Sequence, residues 1–161
     1  MAKLLRLLND LEHFHRNLER PFVNRLRPGL SLEDVERFAN SAALHFSFEL
    51  RTLYHWHDGL TWEGEVGSIG EMCIFPGFFQ LSLDEAITHY KSFLDTAVKE
   101  PAFRALWTPG LFPIFSDGGS GMHLAECDLA KNQASRIFLF NPGEETELLY
   151  SSLSCCFGKC A

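Results

Sequence analysis

An α+β fold in a single domain is what this sequence predicts, with a mainly antiparallel sheet and helices packed to one side. Three observations predict it. Apolar residues recur at helical three-four spacing through the first hundred positions. Short β-type runs separated by Gly- and Pro-rich turns gather after Pro101. Those runs follow one another in hairpin order, which favours antiparallel pairing. The length, 161 residues, suits one domain, and a chain of this size buries about 70% of its extended surface. With 46% hydrophobic residues and 15 phenylalanines, disorder is excluded as the main state.

The elements follow in order. From Leu4, apolar residues fall at 4, 8, 11, 18 and 22 with His15 filling the gap, one face of a helix that Pro21 ends or restarts. Residues 1–25 are thus a helical extension packed on the domain, and 26–161 are the α+β domain itself. After the turn Arg27-Pro28-Gly29, Ser31 caps a second helix with Asp34 three residues on, and Leu32, Val35, Phe38 and Ala39 face inward. Ser47 caps a third helix that turns Leu50, Leu53 and Tyr54 to the core and ends near His57-Asp58, where Gly59 can adopt the left-handed conformation. Residues 59–71 read as a tightly turning Gly-rich loop, MCIF (72–75) and FFQL (78–81) as short strands. Ser82 with Glu85 is a full capping box, opening a helix with Leu83, Ala86, Ile87, Tyr90, Phe93 and Leu94 on one face. Then come LFPIFS (111–116), where Pro113 demands an edge position or a bulge, the DGGSG turn, MHLAECDL (122–129), RIFLF (136–140), and a strand leading into a terminal helix in ELLYSSLSCCF.

Charge narrows the function classes. The net charge is −7 and unevenly spread: residues 1–31 hold six Lys/Arg against three Asp/Glu, residues 32–161 eight against eighteen. An acidic body disfavours nucleic acid, whose phosphates need a basic face, and favours a basic partner. No apolar run approaches the ~20 residues that span a bilayer. The opening MAKLLRLLND imitates a signal peptide, but Asn9, Asp10 and Glu12 cut its apolar region short, so the expected localisation is cytoplasmic. Cysteines 73, 127, 155, 156 and 160 form no CxxC pair and read as reduced, small apolar residues.

The chemistry-bearing motifs are few. In YHWHDGL (54–60), His55 and His57 stand two apart, roughly 200° around a helix axis, a poor geometry for joint metal ligation. Ser120 in GGSGM lacks the second glycine and the strand-to-helix setting of a nucleophile elbow. No phosphate loop or dinucleotide fingerprint occurs, and no carboxylate pair at acid–base spacing stands out. No catalytic residue, metal site or cofactor is therefore expected. What remains is a set of aromatics among polar groups, the composition binding hot spots use. The candidate partner-binding residues are Trp56, Asp58, Trp62, Glu63 and Glu65, with Asp117, Glu126 and Asp128 from the later hairpin; Phe78 and Phe79 belong to the same aromatic set.

The stretch LRPGLSLEDVERFANSAALHFSFELRTLYHWHDGL resembles the opening block of the SUKH superfamily, the Smi/Knr type, with its helix and Y-x-x-H-[DN]-G signature. FPGFFQLSLDEAITHY resembles the family's next block, and LFPIFSDGG and ELLYSSLS its late strand and terminal helix; together they cover about residues 26–155. Phe46-Ser47 replaces the family's usual Leu-Pro, and Met122-His123 replaces residues that are often acidic. The resemblance implies a SUKH-like domain that works by binding proteins. Its implied role is an immunity protein neutralising a toxin by direct contact, a basic toxin domain being the partner that the acidic body suits. A regulatory scaffold of the cell-wall-synthesis type is the alternative. A metal-dependent hydrolase using His55, His57, Asp58 and Asp117 is a more distant one.

Overall fold

Seven strands and seven α-helices make up the computed structural model among the residues it describes, which are 2–64, 67–127 and 134–158. The order along the chain is α1 (Ala2–Asn17), a 3-10 turn (Pro21–Arg25), β1 (Leu26–Pro28), α2 (Leu32–Ser41), α3 (Phe48–Trp56) and β2 (His57–Leu60). There follow α4 (Ile69–Met72), β3 (Phe79–Gln80), α5 (Leu83–Lys99), α6 (Pro101–Leu106), β4 (Leu111–Ser116), β5 (Met122–Glu126), β6 (Ile137–Phe140), β7 (Glu147–Tyr150) and α7 (Leu153–Gly158). Strands β3 to β7 form one antiparallel sheet in sequential order, and β1 pairs with β2 in a separate antiparallel ribbon. The architecture is α+β.

Local sequence explains most starts. The Ser31 hydroxyl accepts the Asp34 amide at 3.1 Å and that of Ser47 accepts the Leu50 amide at 3.2 Å. Ser82 and Glu85 satisfy each other's amides in the reciprocal box, at 3.3 and 2.8 Å. Periodicity explains which faces are buried: Leu4, Leu8 and Leu11 turn α1 against α3 and α7, and Leu83, Ala86, Ile87 and Tyr90 turn α5 onto the sheet. Pro113 sits in β4, a central strand, so its missing N–H is accommodated by the bulge between Pro113 and Phe115.

The core is aromatic. Phe46, Tyr90, Phe93, Phe103, Trp107, Phe112 and Phe140 pack in mostly tilted or edge-to-face pairs over β4 and β6. A second cluster joins Phe75, Phe78, Phe115 and Phe157 to the β5 residue His123, whose ring stacks on Phe78 at 4.0 Å between centroids. Burial pushes the His123 imidazole down to about 4, so the ring is neutral at neutral pH and packs as an aromatic.

Three local readings need correction. Residues 26–28 pair as β1 with β2, so a strand takes in Arg27 and Pro28 of the turn expected at 27–29. MCIF divides between the end of α4 and a single bridge from Phe75 to Phe78, and forms no strand. Glu71 accepts the Ser68 amide at 2.9 Å, so Ser68-x-x-Glu71 carried a helix-start signal that the apolar run masked. Finally, α3 stops at Trp56 and His57 is already extended at φ −149°, ψ 142°; Gly59, at φ +69°, lies inside β2 and does not close a helix.

Candidate functional site

The site grows from the direct passage of α3 into β2. Gly59 permits it, because a Cβ there would stand 2.3 Å from the Ser82 backbone nitrogen. Only a glycine lets β2 lie so close against the segment that leads into α5. Asp58 is carried inward by this approach. Its Oδ1 accepts the Leu83 amide at 2.7 Å and its Oδ2 stands 3.1 Å from the Arg27 guanidinium. A carboxylate thus meets the positive end of the α5 dipole and a cation from β1. Burial nevertheless lifts the Asp58 carboxyl above its ordinary range. The Leu83 amide and Arg27 pull it back down, and Glu85 and Asp84 push it up again.

Outside this buried pin lies an open groove of about 590 Å³ between the 60–63 segment and the first turn of α5. Trp62 forms an aromatic wall, half-buried and edge-on to Phe79 at 4.8 Å between centroids. Glu63, Asp84 and Glu85 bring carboxylates to its lining, that of Glu85 already accepting the Ser82 amide and hydroxyl, and Arg27, the lining cation among the described residues, is committed to Asp58. Glu63 is further held by its carbonyl, which accepts the Arg25 guanidinium. An acidic recess with an aromatic wall suits a lysine or arginine side chain, through ion pairing and cation–π contact.

The structure sorts the residues that the sequence singled out. Trp62 and Glu63 share the groove, with Asp58 behind it. Trp56 is buried, its ring edge-on to His57 at 4.4 Å. Asp117 closes its own turn, Oδ1 accepting the Gly119 amide at 2.7 Å and the Gly121 amide at 3.2 Å. Its neighbour Ser116 pairs with Phe79, which places Asp117 at the Trp62 end of the sheet. Glu126 pairs with Leu111 at the opposite end of the same hairpin and holds Arg136 at 2.6 and 2.9 Å. The hairpin is therefore divided between two ends. Glu65 and Asp128 lie outside the described residues. Arg27, Asp84 and Glu85 were missed as groove residues, since the first read as part of a turn and the others as a helix start.

The two histidines serve the scaffold. His55 Nδ1 bonds the Leu30 carbonyl at 2.8 Å; His57 Nδ1 bonds the Arg27 carbonyl at 2.7 Å and its Nε2 lies 3.2 Å from Glu12. Among the described residues, no three His, Cys, Asp or Glu side chains converge as a metal site requires. Also among them, no helix is long and apolar enough to cross a membrane.

Comparison with known proteins supplies the family. The profile of the SMI1 / KNR4 family (SUKH-1) matches residues 29–156, most of the chain, so the chain belongs to that family. No curated protein matched the chain. The matched span contains the groove's Trp62, Glu63, Asp84 and Glu85 and omits α1 and β1.

Proposed function

We propose that this SUKH-1 member is a non-catalytic protein-binding module, and that it acts as an immunity protein by docking a basic toxin domain on the acidic groove. Family membership over residues 29–156 is the observation that carries the reading. Two features support it. The body of the chain is strongly acidic, with eighteen Asp/Glu against eight Lys/Arg over residues 32–161, which steers basic partners toward it. The groove then offers a rigid tryptophan ringed by carboxylates, the arrangement from which binding hot spots are built.

Co-expression with toxin domains encoded beside its gene tests the reading. The expected result is rescue of growth and recovery of a complex. Trp62→Ala or the pair Glu63→Lys and Asp84→Lys should weaken that complex by about tenfold or more, and added salt should weaken the wild-type complex further. Absence of protection and of binding across the neighbouring toxin domains would end the immunity reading.

A further inference from the structure

Two imidazoles, one from α1 and one from β5, pack on a single turn. Residues 73–78 join the end of α4 to the start of β3. The turn closes through Phe78, whose amide donates to the Phe75 carbonyl at 3.0 Å and whose carbonyl accepts the Ile74 amide at 2.9 Å. The His123 ring of β5 stacks on Phe78 at 4.0 Å and on Phe75 at 5.8 Å between centroids. From α1, His15 is hydrogen-bonded to the Ile74 backbone and shares with Ile74, Phe75 and Pro76 the wall of a cavity of about 340 Å³.

Each ring carries a dry nitrogen. The Nδ1 atoms of His15 and His123 are both shut off from solvent and, among the described residues, meet no hydrogen-bond partner. A neutral imidazole can leave that nitrogen bare as an acceptor. An imidazolium puts an N–H there, and a charged donor without an acceptor in a dry site is far costlier. Neighbouring charges do not repair the deficit. Burial alone sets the low value of the His123 imidazole, about 4. His15 is lowered by burial first and by the Arg20 guanidinium second, and its bond to Ile74 opposes both. The nearby carboxylates are engaged elsewhere: Glu12 with Arg16 and His57, Glu71 with the Ser68 amide, Asp117 with its own turn. The Cys73 thiol donates to the Ile69 carbonyl at 3.2 Å.

We infer that residues 73–78 are an acid-released flap, held shut by two dry imidazoles and freed when those rings take up protons. Met72 lies in α4 and Phe79 pairs with Ser116 of β4, so both ends of the flap are anchored and the turn between them moves. Opening brings Ile74, Phe75 and Phe78 to water, together with the Cys73 thiol, which is buried in the closed form. Both rings hold protons less tightly closed than open. Closure is therefore undiminished above 6.5, the ordinary imidazole value, and is lost as pH falls from there through about 4 for His123.

Cys73 supplies the readout. The full chain is treated with dipyridyl disulfide, which reacts with thiols even in acid, from neutral pH down to about pH 4, and each labelled cysteine is located by mass. Relative to the same thiol in the urea-unfolded chain, Cys73 reactivity should rise about a hundredfold, the span set by the fall from 6.5 to about 4. Cys156, buried in α7, should stay protected until the whole fold opens. His123→Phe keeps a ring in the stack and removes the titration, so it should flatten most of the rise; His15→Phe should flatten a smaller part. Cys73 reactivity indifferent to pH overturns the inference, as does a Cys156 response that keeps step with Cys73. A rise undiminished in His123→Phe overturns it equally. Should that variant not fold, NMR titration of the wild type decides: the Ile74 and Phe78 amides should shift with the same midpoint as the His123 ring, and a different midpoint overturns the flap.

Discussion

Glu49 and Asp58 stand nine residues apart on the continuous α3–β2 segment, and each reaches across the fold to hold the first turn of a distant helix. Glu49 is buried and accepts from the amides of Leu153 and Ser154 at 3.0 Å, the Ser154 hydroxyl at 2.5 Å and the Ser135 amide at 3.3 Å. It ties α7 to α3 through backbone amides and a hydroxyl. Asp58 has one amide, from Leu83, and shares its charge with the half-exposed Arg27 guanidinium. The same chemical device thus serves two ends. At Glu49 it locks the chain's last helix into the core. At Asp58 it aims a surface groove, and the cation that compensates it remains within reach of solvent. A buried carboxylate satisfied only by fixed donors is rigid; one that leans on a solvent-facing cation can be tuned.

Removing Glu49 should break this comparison hardest. Glu49→Ala leaves several buried amides without an acceptor, at a cost of about 3–4 kcal/mol, read as a lowered midpoint in urea. Hydrogen exchange should show α7 opening first, and α1 loosening with it because α1 packs on α7. If that variant lost no more stability than Asp58→Ala, the distinction between the two caps would collapse.

Asp58→Ala should cost about 2 kcal/mol, for one amide and one partner cation left behind. Its signature reaches the groove as well: the groove should lose its shape, so the partner binding proposed for it should fall even at temperatures where the fold persists. Asp58→Asn isolates the charge. The wild-type carboxyl is raised in the folded state, so the fold binds its proton more tightly than the unfolded chain does, whose carboxyl keeps the usual value of 3.8. The associated stabilisation is complete below that value and is lost as pH rises through the higher folded value. Urea midpoints followed upward from pH 3.8 should therefore drop more steeply for wild type than for Asp58→Asn.

Arg27→Met should be the mildest of the three, below about 1 kcal/mol, since half-exposed ion pairs contribute little to stability. It should raise the Asp58 carboxyl further, visible by NMR titration, because the cation that opposes burial is gone. An unchanged Asp58 titration would show that the pair acts only through geometry.

Much of this was legible in the residues themselves. Ser31, Ser47 and the Ser82–Glu85 box mark three helix starts, and the short β-type runs between Gly- and Pro-rich turns mark β4 to β7, because caps and turn residues are written within a few positions. The groove was half legible. Trp62 and Glu63 stand out as an exposed aromatic beside carboxylates, whereas Arg27, Asp84 and Glu85 arrive from segments far away in sequence. Trp56 and Asp58 looked equally available in YHWHDGL, and burial separates them from their neighbours. Asp117 and Glu126 lie nine residues apart in one hairpin, yet pairing register sends them to opposite ends.

By itself, then, the sequence determined the α+β class, the order of its main elements, the acidic balance of the body and the family blocks. All of these are local or summed properties. Only the tertiary structure decided that β1 finds β2 thirty residues on, that Glu49 caps α7 from the other end of the chain, and that Asp58 turns inward while Trp62 stays at the rim. Those outcomes depend on close backbone approaches, such as Gly59 against Ser82, and on donors that must find acceptors once water is excluded. Neither constraint has a fixed spacing along the chain.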